Sequence, residues 1–238
     1  MLKIFPLKIY QNLINKAKMS SHHIVRDDQE PALIIANGQE CSQELMGQLL
    51  EWSPLIVVLD AAIERVMQFD LKVDVLIGDF DRDFDTEKYR KSQFPIKIIH
   101  TPDQNKTDLE KAFDYLISEK IPAVNVVWAT GKRADHTMAN ITSLVKYQNK
   151  LKIVILDDYS KIHLLSKKFE KWYTAKTIIS LLPIGEVTGI STQNLYYPLQ
   201  DESLKMGYRN GNSNHVSEDG IVKINHLDGD LLLMECID

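Results

Sequence analysis

The sequence predicts an α/β protein with a second, all-β part. Residues 1–158 form a mostly parallel sheet with flanking helices, and residues 159–238 form a β-sandwich. Three observations carry this reading. Short runs rich in β-branched residues alternate with helical patterns through the first two thirds of the chain. Those runs are continuously apolar, as strands buried on both faces of a Rossmann-like sheet must be. After about residue 158 the helical period disappears, and short apolar runs are separated by turn signals.

In order, "ALIIANG" (32–38), "LIVVLD" (55–60), "VDVLIGD" (73–79), "IKIIH" (96–100), "VNVVWAT" (124–130) and "LKIVILD" (151–157) are the predicted strands. Helical patterns lie between them in "SQELMGQLLEW", "AAIERVMQF", "TDLEKAFDYLISEK" and "DHTMANITSLVKYQ". The helix from Thr107 is the clearest, because Leu109, Ala112, Phe113, Leu116 and Ile117 repeat at i, i+3, i+4, i+7 and i+8. Thr107 and Glu110 have capping-box spacing. In the second part "KIHLL", "TIISLLPI", "GIVKIN" and "DLLLMEC" read as strands, with turns at Asp219-Gly220 and Asp228-Gly229. The first 30 or so residues fit an added strand or an added helix equally well.

At 238 residues, 44% hydrophobic and 26% charged, the chain is long enough for two domains. A formal net charge of −5 gives no general attraction to nucleic acid or to an anionic membrane, so neither is expected as a partner. Cys41 and Cys236 have no metal-ligand or CxxC spacing and read as free thiols of a reducing, cytoplasmic setting. No run resembles a signal peptide or a membrane span.

Ligands of open α/β sheets bind beyond the carboxyl ends of the strands, which directs attention to four polar junctions. These are Asp60, "GDFD" (78–81), "TPDQNKTD" (101–108) and "TGKRADH" (130–136). In extended backbone Asp79 and Asp81 share one face, and with Asp103 or Asp108 they offer the hard oxygens that Mg²⁺ takes. The same acids also fit turn and N-cap roles, and Asp108 fits the first turn of a helix. Asp83 and Asp85 read as turn residues. Lys106, Lys132 and Arg133 share these loops, and Arg can clamp a phosphate through two donors. A solvated surface loop explains the same cations; Asp135 fits a helix cap, and His136 a satisfied polar residue. Neither GxxxxGK[ST] nor GxGxxG is present, so a nucleotide site here is of neither type.

Taken in order, these junctions resemble the thiamine pyrophosphokinase family over most of the chain. The family's "GDFDS" is similar to Gly78–Arg82, its "TPDQDxTD" to Thr101–Asp108, and its "GxRxDH" to Gly131–His136, followed by Ala139 and Asn140. "LLPIGEVTGIST" (181–192) and "GNSN" (211–214) resemble its second domain. The resemblance implies a homodimer with thiamine near the subunit interface, ATP as the other substrate, and transfer of the ATP diphosphate to the thiamine hydroxyl with release of AMP. By position it implies that Asp79, Asp81 and Asp108 hold Mg²⁺ and the phosphates, and that Asp60, Gln104, Lys106, Thr107 and Arg133 line the ATP site. Arg133 and Asp135 correspond to paired active-site residues; Ser213 and Asn214 correspond to the thiamine-contacting segment. On this reading Asp135 is expected to orient or to deprotonate the hydroxyl.

The chain also departs from the family. "DAAIERV" (60–66) stands where the family reads "DGGANRL", so two alanines replace glycines and Glu64 replaces asparagine. Asn105 replaces a frequent acid, Ala134 an aromatic, and Tyr196 or Tyr197 stands in for an aromatic of the thiamine region. The altered loop leaves two rivals: the same chemistry on another alcohol such as a pterin, and a catalytically silent thiamine- or nucleotide-binding protein.

Overall fold

The computed structural model describes residues 31–80 and 84–237. The expectations for the first 30 residues, and for Asp81 and Asp83, lie outside them. Six parallel strands form the first part: β1 (Ala32–Ile35), β2 (Leu55–Leu59), β3 (Val75–Gly78), β4 (Lys97–His100), β5 (Ala123–Val127) and β6 (Lys152–Leu156). Their order is β4-β3-β2-β1-β5-β6. The chain therefore winds outward from β1 in one direction and then in the other, as in doubly wound sheets.

Helices α1 (Gln43–Leu50), α2 (Ile63–Val66), α3 (Thr86–Ser92), α4 (Asp108–Ser118) and α5 (Ala134–Tyr147) cover the sheet. Alternation along a strand explains why the runs are apolar throughout. Ala32 and Ile34 pack with Leu109, Phe113, Leu116, Leu144 and Tyr147 on the α4–α5 face. Leu33 and Ile35 pack with Leu45, Leu49, Ile63, Val66 and Tyr89 on the other. Each of these Leu, Ile, Val and Phe side chains contributes about 1.5–3 kcal/mol on burial.

The capping box at α4 is present: Thr107 Oγ1 accepts from Glu110 N–H at 3.2 Å, and Glu110 Oε2 accepts from Thr107 N–H at 2.9 Å. The expected helix over 61–69 is broken into a 3-10 turn at Asp60–Ala62, the single turn α2, and a second 3-10 turn at Met67–Phe69. At its start Asp60 Oδ1 accepts from Ala61 N–H at 2.6 Å, a local bond that competes with helix propagation. Neither Ala61 nor Ala62 has a positive φ, so the alanines sit in this turn without backbone strain. Helix α3 has Tyr89 as its one buried residue and Asp85 as its N-cap.

Beyond β6 the sheet continues. Strand β7 (Ser160–Leu164) turns back antiparallel on β6, β13 (Asp228–Cys236) pairs with β7, and β9 (Ile178–Gln193) pairs with β13. The remaining strands are β8 (Lys168–Tyr173), β10 (Glu202–Lys205), β11 (Gly211–His215) and β12 (Gly220–Asn225). Strand β9 pairs first with β13 and β11, then at Ser191–Gln193 with β12, so one long strand serves both layers of a sandwich. Gly185, at φ +78°, sits at the register shift in the β9–β13 pairing, and Gly189, at φ +66°, lies between the two stretches. Leu181, Val187, Ile190, Val222, Ile224, Leu231 and Leu233 fill the space between the layers. Glu235 on β13 accepts from Lys171 Nζ at 2.9 and 3.0 Å and from Tyr173 OH at 3.0 Å, tying β13 to β8.

Among the described residues no helix is long and apolar enough to cross a membrane. Cys41 and Cys236 are free thiols.

Candidate active site

The carboxyl edge of the parallel strands gathers the predicted acids. Asp60 ends β2 and is buried, its Oδ2 accepting from Phe80 N–H at 3.2 Å. Gly78 permits this: a Cβ there would collide with the Asp60 carboxylate. Burial pushes the Asp60 carboxyl above the usual range, with Asp108 and Asp79 adding to the effect against the amides of Phe80 and Ala61. Asp79 follows β3, and its Oδ2 accepts from Gln104 Nε2 at 3.1 Å. That bond, assisted by the charge of Lys111, holds the Asp79 carboxyl below its ordinary range.

Lys111 is the residue that sequence reasoning missed. Its side chain is 5% exposed, and its Nζ pairs with Asp108 Oδ1 at 3.0 Å, one helical turn away. A buried ammonium thus faces an acidic edge. The available signal was an i, i+3 acid–base pair on a helix that opens at a strand junction.

Phe80 adopts φ +44°, a left-handed conformation that is costly for a bulky residue. Its ring stacks on His100 and touches Phe84, and Phe84 touches Tyr89. His100 Nε2 lies 2.9 Å from the Asp79 carbonyl oxygen. Thus the backbone carrying Asp79 is held from both sides.

The predicted cations are placed differently. Lys106 Nζ pairs with Asp114 Oδ2 at 2.8 Å, and the Thr107 side chain is the N-cap of α4. Lys132 Nζ lies 3.4 Å from the Asn37 carbonyl oxygen. Arg133 occupies the N-cap position of α5 without a side-chain cap, and its guanidinium grips Asp135 through two bonds. The Arg133 bond holds the Asp135 carboxyl down to about 2. The pair is well exposed and stands among the loops of the same sheet edge.

Arg65, which the sequence did not single out, and Asn140, which it placed after the Gly131–His136 motif, fix these loops. Arg65 donates to Gly38 O and Glu40 Oε1, each at 3.1 Å, and to Asn37 Oδ1 at 2.7 Å, and it lies over the Trp128 ring. Asn140 donates to Ala129 O at 2.8 Å, joining α5 to the end of β5.

Ser213 and Asn214 lie far along the sheet. Asn214 is buried and committed to its own fold: its Oδ1 accepts from Tyr197 N–H at 3.0 Å, and its Nδ2 donates to Tyr197 O at 2.8 Å. Ser213, at φ +53°, donates its N–H to Ser180 Oγ and lines a cavity of about 630 Å³ with Tyr159, His215 and Cys236. Tyr196 stacks on His215 at 4.6 Å, and both Tyr196 and Tyr197 are exposed. From β3 to β11 the path crosses eight strand spacings of about 4.8 Å, roughly 38 Å along the sheet.

The donor set suits a hard cation. Asp79 and Asp108 supply carboxylate oxygens, and the surroundings of Asp79 keep it ionised. Among the described residues no group of three or more acidic, His or Cys side chains is arranged to hold an ion unaided. Two carboxylates leave the remaining positions of a hard cation to water or phosphate oxygens, the mixture that Mg²⁺ uses at nucleotide sites.

A doubly wound sheet with acids, an amide and a buried lysine at its carboxyl edge, continuous with a β-sandwich, is the architecture of an α/β enzyme with its site at that edge. Comparison with known proteins sharpens this. Residues 46–155 match the family model "Thiamin pyrophosphokinase, catalytic domain", and residues 163–230 match "Thiamin pyrophosphokinase, vitamin B1 binding domain". Thiamine pyrophosphokinase from Bacillus subtilis is 26% identical over 162 residues, covering 64% of this chain and 70% of the relative. Thiamine pyrophosphokinase 1 of Oryza sativa subsp. japonica is 30% identical over 163 residues, 63% of this chain and 61% of the relative. The crystal structure of the Bacillus subtilis enzyme superposes with a TM-score of 0.73 at 21% identity, covering 87% of this chain and 99% of that one, which speaks to the fold. The chain belongs to the thiamine pyrophosphokinase family.

Proposed function

We propose that the protein transfers the diphosphate group of ATP to the hydroxyl of thiamine, giving thiamine diphosphate and AMP. The observation that carries this reading is the meeting of Asp79, Gln104, Asp108 and Lys111 at one sheet edge, in a chain matched by both family models. In such transfers the protein positions the reactants and neutralises charge. Asp79, Asp81 and Asp108 hold the metal, Mg²⁺ in this reading, which when bound supplies charge neutralisation on the phosphate oxygens. Gln104 fixes the rotamer of Asp79, and Asp60 shapes the floor beneath it. Lys106 and Arg133 exchange carboxylate partners for phosphate oxygens. Thr107 presents the first amides of α4, and Asp135 orients or deprotonates the attacking hydroxyl. Ser213 lines the thiamine pocket, and Asn214 shapes it by holding the Tyr197 backbone.

Residues 1–158 serve as the ATP and metal domain and residues 159–238 as the thiamine domain. The distance along the sheet from Asp79 to Ser213 supports a homodimer in which each site draws on both protomers. Two free thiols accord with a cytoplasmic setting.

Incubation with ATP, Mg²⁺ and a panel of alcohols, with AMP followed by chromatography, tests the reading. AMP forms with thiamine and not with pterin alcohols, and Asp81→Asn abolishes it while the circular dichroism spectrum is unchanged. AMP release with another alcohol, binding without AMP release, or near-normal turnover by Asp81→Asn overturns the corresponding assignment.

A further inference from the structure

Glu64 stands where the family carries asparagine, and the structure gives it a specific task. Its Oε1 accepts from Lys88 Nζ at 2.7 Å and from the hydroxyl of Tyr89, both on α3. The Lys88 pair is exposed, and pairs of that kind contribute little by themselves. Tyr89 is different: it is 2% exposed, and its ring packs at 5.3 Å from Phe84, which packs at 5.0 Å from Phe80. Burial and the bond to Glu64 push the Tyr89 hydroxyl up to about 12, so it stays a proton donor throughout the physiological range.

Phe80 is the residue in the left-handed conformation next to Asp79. A bulky residue keeps such a conformation only where its surroundings over-determine it. Here those surroundings are the Asp60 carboxylate at its N–H, and His100 and the Phe84–Tyr89 pair packed against its ring. Glu64 lies four residues after Asp60, so a single turn of chain reaches both ends of this support.

The geometry points to Glu64 as a positioning residue of the nucleotide site: through Tyr89 and Phe84 it holds the Phe80 turn that aims Asp79. This rests on the reading of that edge as an ATP site. The residue touches no reacting atom and acts by limiting the conformations of the loop that does.

Three variants test it: Glu64→Ala, Glu64→Gln and Tyr89→Phe. Glu64→Ala raises KM for ATP about three- to tenfold, the loss expected of one hydrogen bond, with kcat within twofold of wild type. Glu64→Gln, whose amide oxygen still accepts from Tyr89, restores most of the affinity, and Tyr89→Phe shifts KM in the same direction as Glu64→Ala. Unchanged KM in Glu64→Ala, a fall in kcat tracking a loss of thermal stability, or no rescue by Gln overturns the proposal. Calorimetric titration of wild type and Glu64→Ala with Mg²⁺ and a non-hydrolysable ATP analogue separates the two readings. Failure of the thiamine reaction with the affinity difference intact leaves the positioning role standing, whereas equal affinities remove it.

Discussion

At the residue scale the site turns on one buried cation among acids. Lys111 is nearly out of solvent, and its partner Asp108 is 38% exposed, so the pair is neither a surface bridge nor a fully buried one. Its charge contributes to keeping Asp79 ionised. Lys111→Met, which keeps the apolar stem, leaves Asp108 without its partner and removes that contribution. The expected outcome is a fall in kcat/KM of roughly tenfold or more at neutral pH, the rate equivalent of about 1.4 kcal/mol, with the acid limb of the pH profile moved to higher pH. Steady-state kinetics between pH 5 and 8 check both parts. Asp60, Asp79 and Asp108 were picked out in the sequence because they lie in the polar junctions that follow strands, whereas Gln104 came only from the family resemblance. Lys111 was not picked out, because a lysine beside Leu109 and Ala112 reads as one more solvated helical residue until the fold buries it. The pairing of Lys106 with Asp114, eight residues away, follows from how the loop folds onto α4, which no spacing rule announces.

At the scale of elements, long periodic segments were legible and short ones were not. Helix α4 showed its stripe and its cap in the sequence, whereas α3, with a single buried residue, has no stripe to show. Strand β11 is equally silent, since "GNSNH" has no apolar alternation and is placed by its pairing with β9. What joins the sandwich strands is partly ionic. Burial pushes the Glu235 carboxyl up, but His163 and the charges of Lys171 and Lys161 outweigh it and bring the group from 4.5 down to about 2. A carboxyl depressed on folding stabilises the folded state above its unfolded pKa and loses that contribution as pH falls through the folded value. The contribution, about 3 kcal/mol from the size of the shift, is therefore present above pH 4.5 and fades between pH 4.5 and 2. Glu235→Gln is expected to be about 2–3 kcal/mol less stable than wild type at pH 7, with the gap narrowing as pH falls below 4.5. Urea unfolding at pH 7 and pH 3.5 checks the sign.

At the scale of the molecule, one continuous sheet edge carries both Asp79 and Ser213 while keeping them apart. The parallel strands β1–β6 end there, β7 begins there, and β13 and β11 finish there, so Asp79 and Ser213 face the same edge across the breadth of the fold. About eight strand spacings separate the two in one chain, and the twofold dimer proposed above would set the acidic edge of one protomer against the sandwich of its partner twice over. The arrangement predicts complementation between two defective chains. Asp79→Asn removes the acid edge, and Ser213→Trp fills the pocket on the sandwich, so each variant alone is inactive. When the two are co-expressed, half of the dimers are mixed, and in each mixed dimer one site inherits both intact halves while the other inherits both defects. Activity therefore returns to about a quarter of the wild-type value at equal total protein, the share of intact sites in a random twofold assembly. Sites built within single chains return none, because no chain in the mixture carries both halves, and purification through two different affinity tags isolates the mixed dimer, whose specific activity should then rise to about half of wild type.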